Sequence, residues 1–199
     1  MKSITVLGAL TALALTASVQ ANQDVSGFYI GGGVGSTTVD LDRTGYTSNE
    51  DTDGSTVKFI AGYQFNRIVA IEAQYTQYGE ITPNKTLTYA GKTYKWDATT
   101  FSVSANLGYT FQNGLRPFGI IGLSSLDLGQ STKVLKDDDA TAVHVGLGLE
   151  YTPAALSGVS FRVGYEADAF TIEEYSTANR YEDTDVMIGS AYVAASYKF

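Results

Sequence analysis

His144 is the only histidine in the chain. A histidine does acid–base work when it can take a proton from a nucleophile while an acid orients its far nitrogen. Ser102, Ser104, Ser160, Ser190 and Ser196 lie on polar faces of a two-residue alternation that also carries His144, so serine partners exist by position. No nucleophile elbow or comparable local motif accompanies them, and His144 is read as a hydrogen-bonding partner with no catalytic role. A second set does ion-pair chemistry. Lys58, Glu72, Glu150, Arg162, Glu166 and Asp168 share those polar faces, with Gln74 and Asn106 between them. Charges held away from water are tolerable only when paired and hydrogen-bonded. The planar guanidinium of Arg162 can hold two carboxylates and is predicted to bridge Glu72 and Glu150; Lys58 is predicted to neutralise Glu166 or Asp168. Such a set makes either an ion path or a packed polar plug. A third candidate, Asn49-Glu50-Asp51-Thr52-Asp53-Gly54, resembles the start of a calcium loop, but its twelfth position is Ile60 and the bidentate glutamate is missing. It reads as a solvated acidic loop, and no metal or cofactor is expected.

These residues need elements to position them, and the end of the chain shows what kind. Phe199, Tyr197, Ala195, Val193, Ala191, Gly189 and Met187 share one face, and Lys198, Ser196, Ala194 and Ser190 the other. A strict period of two fits a strand with an oily and a wet side. The same pattern recurs with Val57, Phe59, Ala61, Tyr63 and Phe65; with Val69, Ile71, Ala73 and Tyr75; and with Phe101, Val103, Ala105, Leu107, Tyr109 and Phe111. It returns with Val143, Val145, Leu147, Leu149 and Tyr151, and with Val159, Phe161, Val163, Tyr165, Ala167 and Ala169. Residues 27–38 and 117–128 supply two further strands. The second of these carries Phe118 and Ile120 on one face and Ile121 and Leu123 on the other, so its facing is open.

Eight strands of about ten residues have the length that a tilted strand needs to cross a bilayer. Their connections alternate. Asn66-Arg67, Gln112-Asn113-Gly114 and 152–158 are short; 40–54, 79–95, 129–140 and 171–184 are long and polar. This sorting predicts an all-β, eight-stranded antiparallel up-and-down transmembrane barrel with both termini at the short-turn end. Its lumen is about wide enough to be filled by its own side chains, which favours the plug over the ion path. Aromatic residues gather at strand ends: Phe28, Phe65, Tyr109, Phe111, Phe118, Tyr151, Phe161, Tyr197 and Phe199 for a girdle at the short turns, and Tyr75, Trp96, Phe101 and Phe170 for one at the long loops.

The amino terminus predicts export. Lys2, an apolar run over 4–17 and the small residues of Val19-Gln20-Ala21 read as a signal peptide over 1–21, leaving a barrel domain over 22–199. With Cys 0 there is no disulfide framework and no thiolate metal site. Acidic residues number 21 against 13 lysines and arginines, a balance that repels nucleic-acid phosphates. The second long loop is the basic exception, with Lys85, Lys92, Lys95, Tyr89, Tyr94 and Trp96. That set reads as a solvated hairpin extension, or else as a contact for lipopolysaccharide phosphates or a host surface.

Gly27-Phe28-Tyr29-Ile30-Gly31, Gly146-Leu147-Gly148-Leu149-Glu150-Tyr151-Thr152-Pro153, Phe161-Arg162-Val163-Gly164-Tyr165 and the terminal Phe199 resemble the small outer-membrane barrels of the OmpA-like, porin-family type. The resemblance covers the chain after the signal peptide. It implies the outer membrane of a Gram-negative bacterium, with both termini periplasmic and lipid and lipopolysaccharide as surroundings. It further implies recognition of Tyr197 and Phe199 by the barrel-assembly machinery, after escort by periplasmic chaperones. An interior salt-bridge cluster on Glu72, Glu150 and Arg162 is implied as well. No periplasmic wall-binding domain is expected after Phe199. The function expected is a monomeric, non-enzymatic barrel whose loops serve envelope integrity, adhesion or a surface ligand; the alternatives are a narrow solute channel and, behind it, a lipid-modifying enzyme using His144.

Overall fold

Strands with one apolar and one polar face bury their backbone groups in lipid only if the sheet closes, because an open edge would leave donors and acceptors without water. The computed structural model describes residues 25–43, 46–50, 54–79, 98–127, 139–176 and 180–199. Its strands are β1 (Gly27–Arg43), β2 (Tyr46–Glu50), β3 (Ser55–Gln64), β4 (Val69–Gln77), β5 (Thr99–Gly108), β6 (Leu115–Asp127), β7 (Asp139–Tyr151), β8 (Val159–Ser176) and β9 (Arg180–Lys198). Neighbours in sequence pair antiparallel from β3 to β9. The sheet closes where β1 meets β9, from Tyr29↔Lys198 to Asp42↔Asp185. β2 pairs only with the far part of β1, so the closed wall has eight strands.

The burial pattern is the reverse of a water-soluble core. Leu147 is 68% exposed and Phe59 61%, whereas Lys58, Glu166, Asp168 and His144 are fully buried. The period-two alternation thus places grease outside and charge inside, as an outer-membrane barrel requires.

Two of the long connections are shorter than expected. Residues 40–54 contain the end of β1 and all of β2, and most of 171–184 belongs to β8 and β9. The sequence of these stretches, rich in Asp, Glu, Ser and Thr, carries no sustained apolar alternation, while backbone pairing continues. Asn49 and Glu50 accordingly pair with Asp40 and Val39 in a ladder and do not form an open loop. β5 stops at Gly108, and Tyr109 and Phe111 stack edge to face at 5.0 Å in the turn that follows. That turn closes as its sequence predicts, with Asn113 Oδ1 accepting from the Leu115 amide at 3.1 Å and Gly114 at a φ of 83°.

The facing of β6 is settled: Phe118 and Ile120 point into the lumen, and Ile121 and Leu123 face out. Phe118 and Phe170 therefore do not belong to the girdles. Both rings are buried inside, Phe170 against Leu126, Val186 and Ile188. Phe28, Phe65, Tyr109, Phe111, Tyr151, Phe161, Tyr197 and Phe199 are exposed at the short-turn end, and Tyr75 and Phe101 towards the other. The signal peptide, Lys85, Lys92, Lys95, Tyr89, Tyr94 and Trp96 lie outside the described residues.

Inward rings sit on glycines of the neighbouring strand. A Cβ on Gly148 would come within 2.6 Å of Phe118 Cζ, and one on Gly62 within 2.5 Å of the Tyr29 ring. Gly148→Val is expected to lower stability by about 1–3 kcal/mol, the cost of an overpacked site. Gly119→Ala, whose new carbon meets nothing nearer than Gly146 O at 3.7 Å, is the control. Urea unfolding in lipid vesicles measures both, and equal midpoints would refute the seat.

Candidate functional site

The lumen is built in three tiers. Nearest the short turns, Arg162 on β8 reaches across the barrel to β4 and sideways to β7. Its Nη1 donates to Glu72 Oε2 at 3.2 Å and its Nη2 to Glu72 Oε1 at 2.7 Å. Its Nε and Nη2 donate to Glu150 Oε2 at 3.2 and 2.9 Å. Glu72 is fully enclosed by donors, also accepting from Tyr29 Oη at 2.5 Å, Asn106 Nδ2 at 2.9 Å and Gln74 Nε2 at 3.0 Å. The Arg162 guanidinium also lies over the Phe118 ring, 4.7 Å from its centroid.

In the second tier Lys58 on β3 donates to Glu166 Oε2 at 2.7 Å, Thr76 Oγ1 at 3.1 Å and Gln74 Oε1 at 3.3 Å. All three protons of the ammonium are thus used. Glu166 also accepts from Tyr192 Oη. Gln74 joins the tiers, donating to Glu72 below and accepting from Lys58 above. Lys58 pairs with Glu166 alone. Asp168 belongs to His144, whose Nδ1 donates to Asp168 Oδ1 at 2.8 Å, and it accepts as well from Ser124 Oγ and Tyr78 Oη, each at 2.6 Å.

The third tier is apolar. Tyr78, Ala98, Leu126, Ala142, Phe170, Val186 and Ile188 form a buried cluster across the long-loop half of the lumen. Above the charges, then, lies a lid of packed apolar side chains, with the Tyr78 hydroxyl and the buried Thr37, Thr56 and Thr100 among them.

His144 is fully buried, and its Nε2 faces Glu166 Oε2 at 3.3 Å, off hydrogen-bond geometry. Ser124, the serine nearest in the network, donates to the aspartate and not to the imidazole. Among the described residues no group of three His, Cys, Asp or Glu side chains is placed to hold a metal ion.

Sequence reasoning missed Tyr29, Tyr78, Tyr192 and Arg116 as lumenal polar groups. Tyr29 and Tyr192 stand on the wet side of their alternation, which was signal enough. Arg116 precedes the point where the strand was expected to start; in the structure it lies in β6 opposite Glu150 and is buried.

The family model described as outer membrane protein beta-barrel domain matches residues 7–199. No match was found among curated protein sequences. Among solved structures, AlkL in lipid bilayers is similar at 16% identity and a TM-score of 0.54, covering 90% of this chain and 94% of its own. Ail, the attachment invasion locus protein of Yersinia pestis, is 16% identical with a TM-score of 0.51, covering 88% of this chain and 100% of its own. OprG of Pseudomonas aeruginosa is 14% identical with a TM-score of 0.50, covering 87% and 96%. At these identities the likeness is one of fold.

Proposed function

The chain belongs to the outer membrane protein β-barrel domain family, and on that premise we propose that it is a sealed, non-enzymatic barrel whose work is done by a wall projecting from the outer surface. The protein resides in the outer membrane of Gram-negative bacteria, among its lipids. In the proposed orientation the short turns and both termini face the periplasm after removal of residues 1–21. Tyr197 and Phe199, stacked edge to face at 5.1 Å, carry the assembly signal.

One observation carries the reading. Among the described residues the outward apolar belt ends near Val34, Val57, Tyr75, Phe101, Leu123, Val143 and Met187. β1, β8 and β9 continue to Arg43, Ser176 and back from Arg180, and with β2 they form a four-stranded sheet standing roughly 20 Å beyond the belt. Its described residues include eight acids, among them Asp42, Glu50, Glu173, Glu174 and Asp183, against Arg43 and Arg180. A wall this acidic suits a cationic surface or partner, with attraction that weakens as salt rises. The lid and the two charged tiers beneath it support a plug over a solute channel.

Neutralising Glu173, Glu174, Glu182 and Asp183 to their amides is expected to reduce adhesion of expressing cells to cationic surfaces, while the heat-modifiable gel migration of the barrel stays intact. Undiminished adhesion would refute the wall's role. Purified protein in planar bilayers is expected to show no steady openings, and stable unitary conductance would replace this reading with the channel. His144→Ala is expected to leave lipid A mass spectra unchanged; an altered acylation pattern would establish the enzyme instead.

A further inference from the structure

Among the described residues Arg116 is the arginine of the lower lumen that no carboxylate contacts; its guanidinium lies over the Phe118 ring, 5.9 Å from the centroid. Arg116 is 3% exposed and packs over Gly108, where an added Cβ would lie 3.0 Å from its Cζ. Its only hydrogen bond runs from Nη2 to the Asn106 carbonyl at a long 3.4 Å, and its Nε–H has no partner. Among the described residues no carboxylate oxygen lies within ion-pair distance of it, because Arg162 takes both Glu72 and Glu150. Lys198, a second cation at this mouth, spends its ammonium on Gln64 Oε1 at 2.8 Å and Val25 O at 3.0 Å. Among the described side chains inside the lower lumen, Arg116, Arg162 and Lys198 are the cations and Glu72 and Glu150 the carboxylates. Water can saturate an idle N–H, but it cannot cancel a buried charge.

We propose that the short-turn mouth of the lumen is a binding site for a small oxyanion, held on the unpartnered Nε edge of Arg116 with Lys198 supplying long-range attraction. The guanidinium fork matches two oxygens of phosphate, sulfate or a small carboxylate, and the bond would be charge-assisted. The closed wall separates this mouth from acyl chains, so the anion is a soluble one reaching it from the aqueous side.

The test is titration of the purified, detergent-solubilised barrel with inorganic phosphate, at constant ionic strength and pH, followed by calorimetry and by the thermal midpoint of unfolding. Saturable binding and a midpoint that rises with phosphate are expected for the wild type. Arg116→Gln is expected to weaken binding roughly tenfold or more, the worth of one charge-assisted hydrogen bond, and to flatten the midpoint dependence. Arg116→Lys keeps the charge without the fork and is expected to fall between the two. No saturable binding by the wild type, or equal binding by wild type and Arg116→Gln, would overturn the site. So would a crystal structure grown in phosphate with only water, or an adventitious ion away from Arg116, at this mouth.

Discussion

Arg162→Met is expected to destabilise the barrel by about 3–5 kcal/mol, because it leaves buried carboxylates without their cation. Among the described residues Arg162 is the sole cation contacting Glu72, which is fully buried, and it also neutralises Glu150, whose side chain is 12% exposed. The two acids are unequal, so the variants rank. Glu150→Gln sits at the wetter edge and is expected to cost least. Arg162→Lys is expected to fall between Glu150→Gln and Arg162→Met, since one point charge cannot present parallel N–H bonds to two acids. Urea unfolding in vesicles gives the ranking, and a midpoint for Arg162→Met equal to the wild type would show that the plug does not depend on this pairing.

The second large effect is expected at Lys58. Lys58→Met strands Glu166, whose remaining partners are the Tyr192 hydroxyl and the off-axis His144 Nε2. A loss of about 3–5 kcal/mol is expected for an uncompensated buried carboxylate. Glu166→Leu strands Lys58 in turn, and the double variant is expected to be more stable than the sum of the two losses by roughly 0.5–3 kcal/mol. Strict additivity in that cycle would mean that the two charges do not recognise one another. Asp168→Asn makes a separate probe, because Asp168 serves His144, Ser124 and Tyr78 and not Lys58; its effect is expected to add to that of Arg162→Met, the two sharing no direct partner.

The eight wall strands could be read before folding wherever one face was purely apolar. Phe101 to Leu107 against Ser102 to Asn106 admits only one assignment, and Asn113-Gly114 permits little but a tight turn. β6 resisted because both of its faces carry large apolar side chains. What separates Phe118 from Ile121 is the glycine at 148 on the next strand, and that partnership depends on register, which a single strand does not encode. The charged set was visible as polar-face residues, yet its pairing was only partly so. Arg162 has the geometry for two acids, whereas the choice of Glu166 over Asp168 by Lys58 follows from reach across the lumen. Arg116 escaped because Pro117 looked like a strand start. The projecting wall escaped for a different reason: its residues, rich in Asp, Glu, Ser and Thr, display no sustained apolar alternation.

The flank built from β1, β2, β8 and β9 carries an acidic parapet past the apolar belt. Anionic neighbours in the outer leaflet would be repelled from that flank, unless divalent cations bridge them to it. The barrel's rotational setting within the membrane plane is then biased, and with it the direction in which the parapet meets whatever approaches the cell.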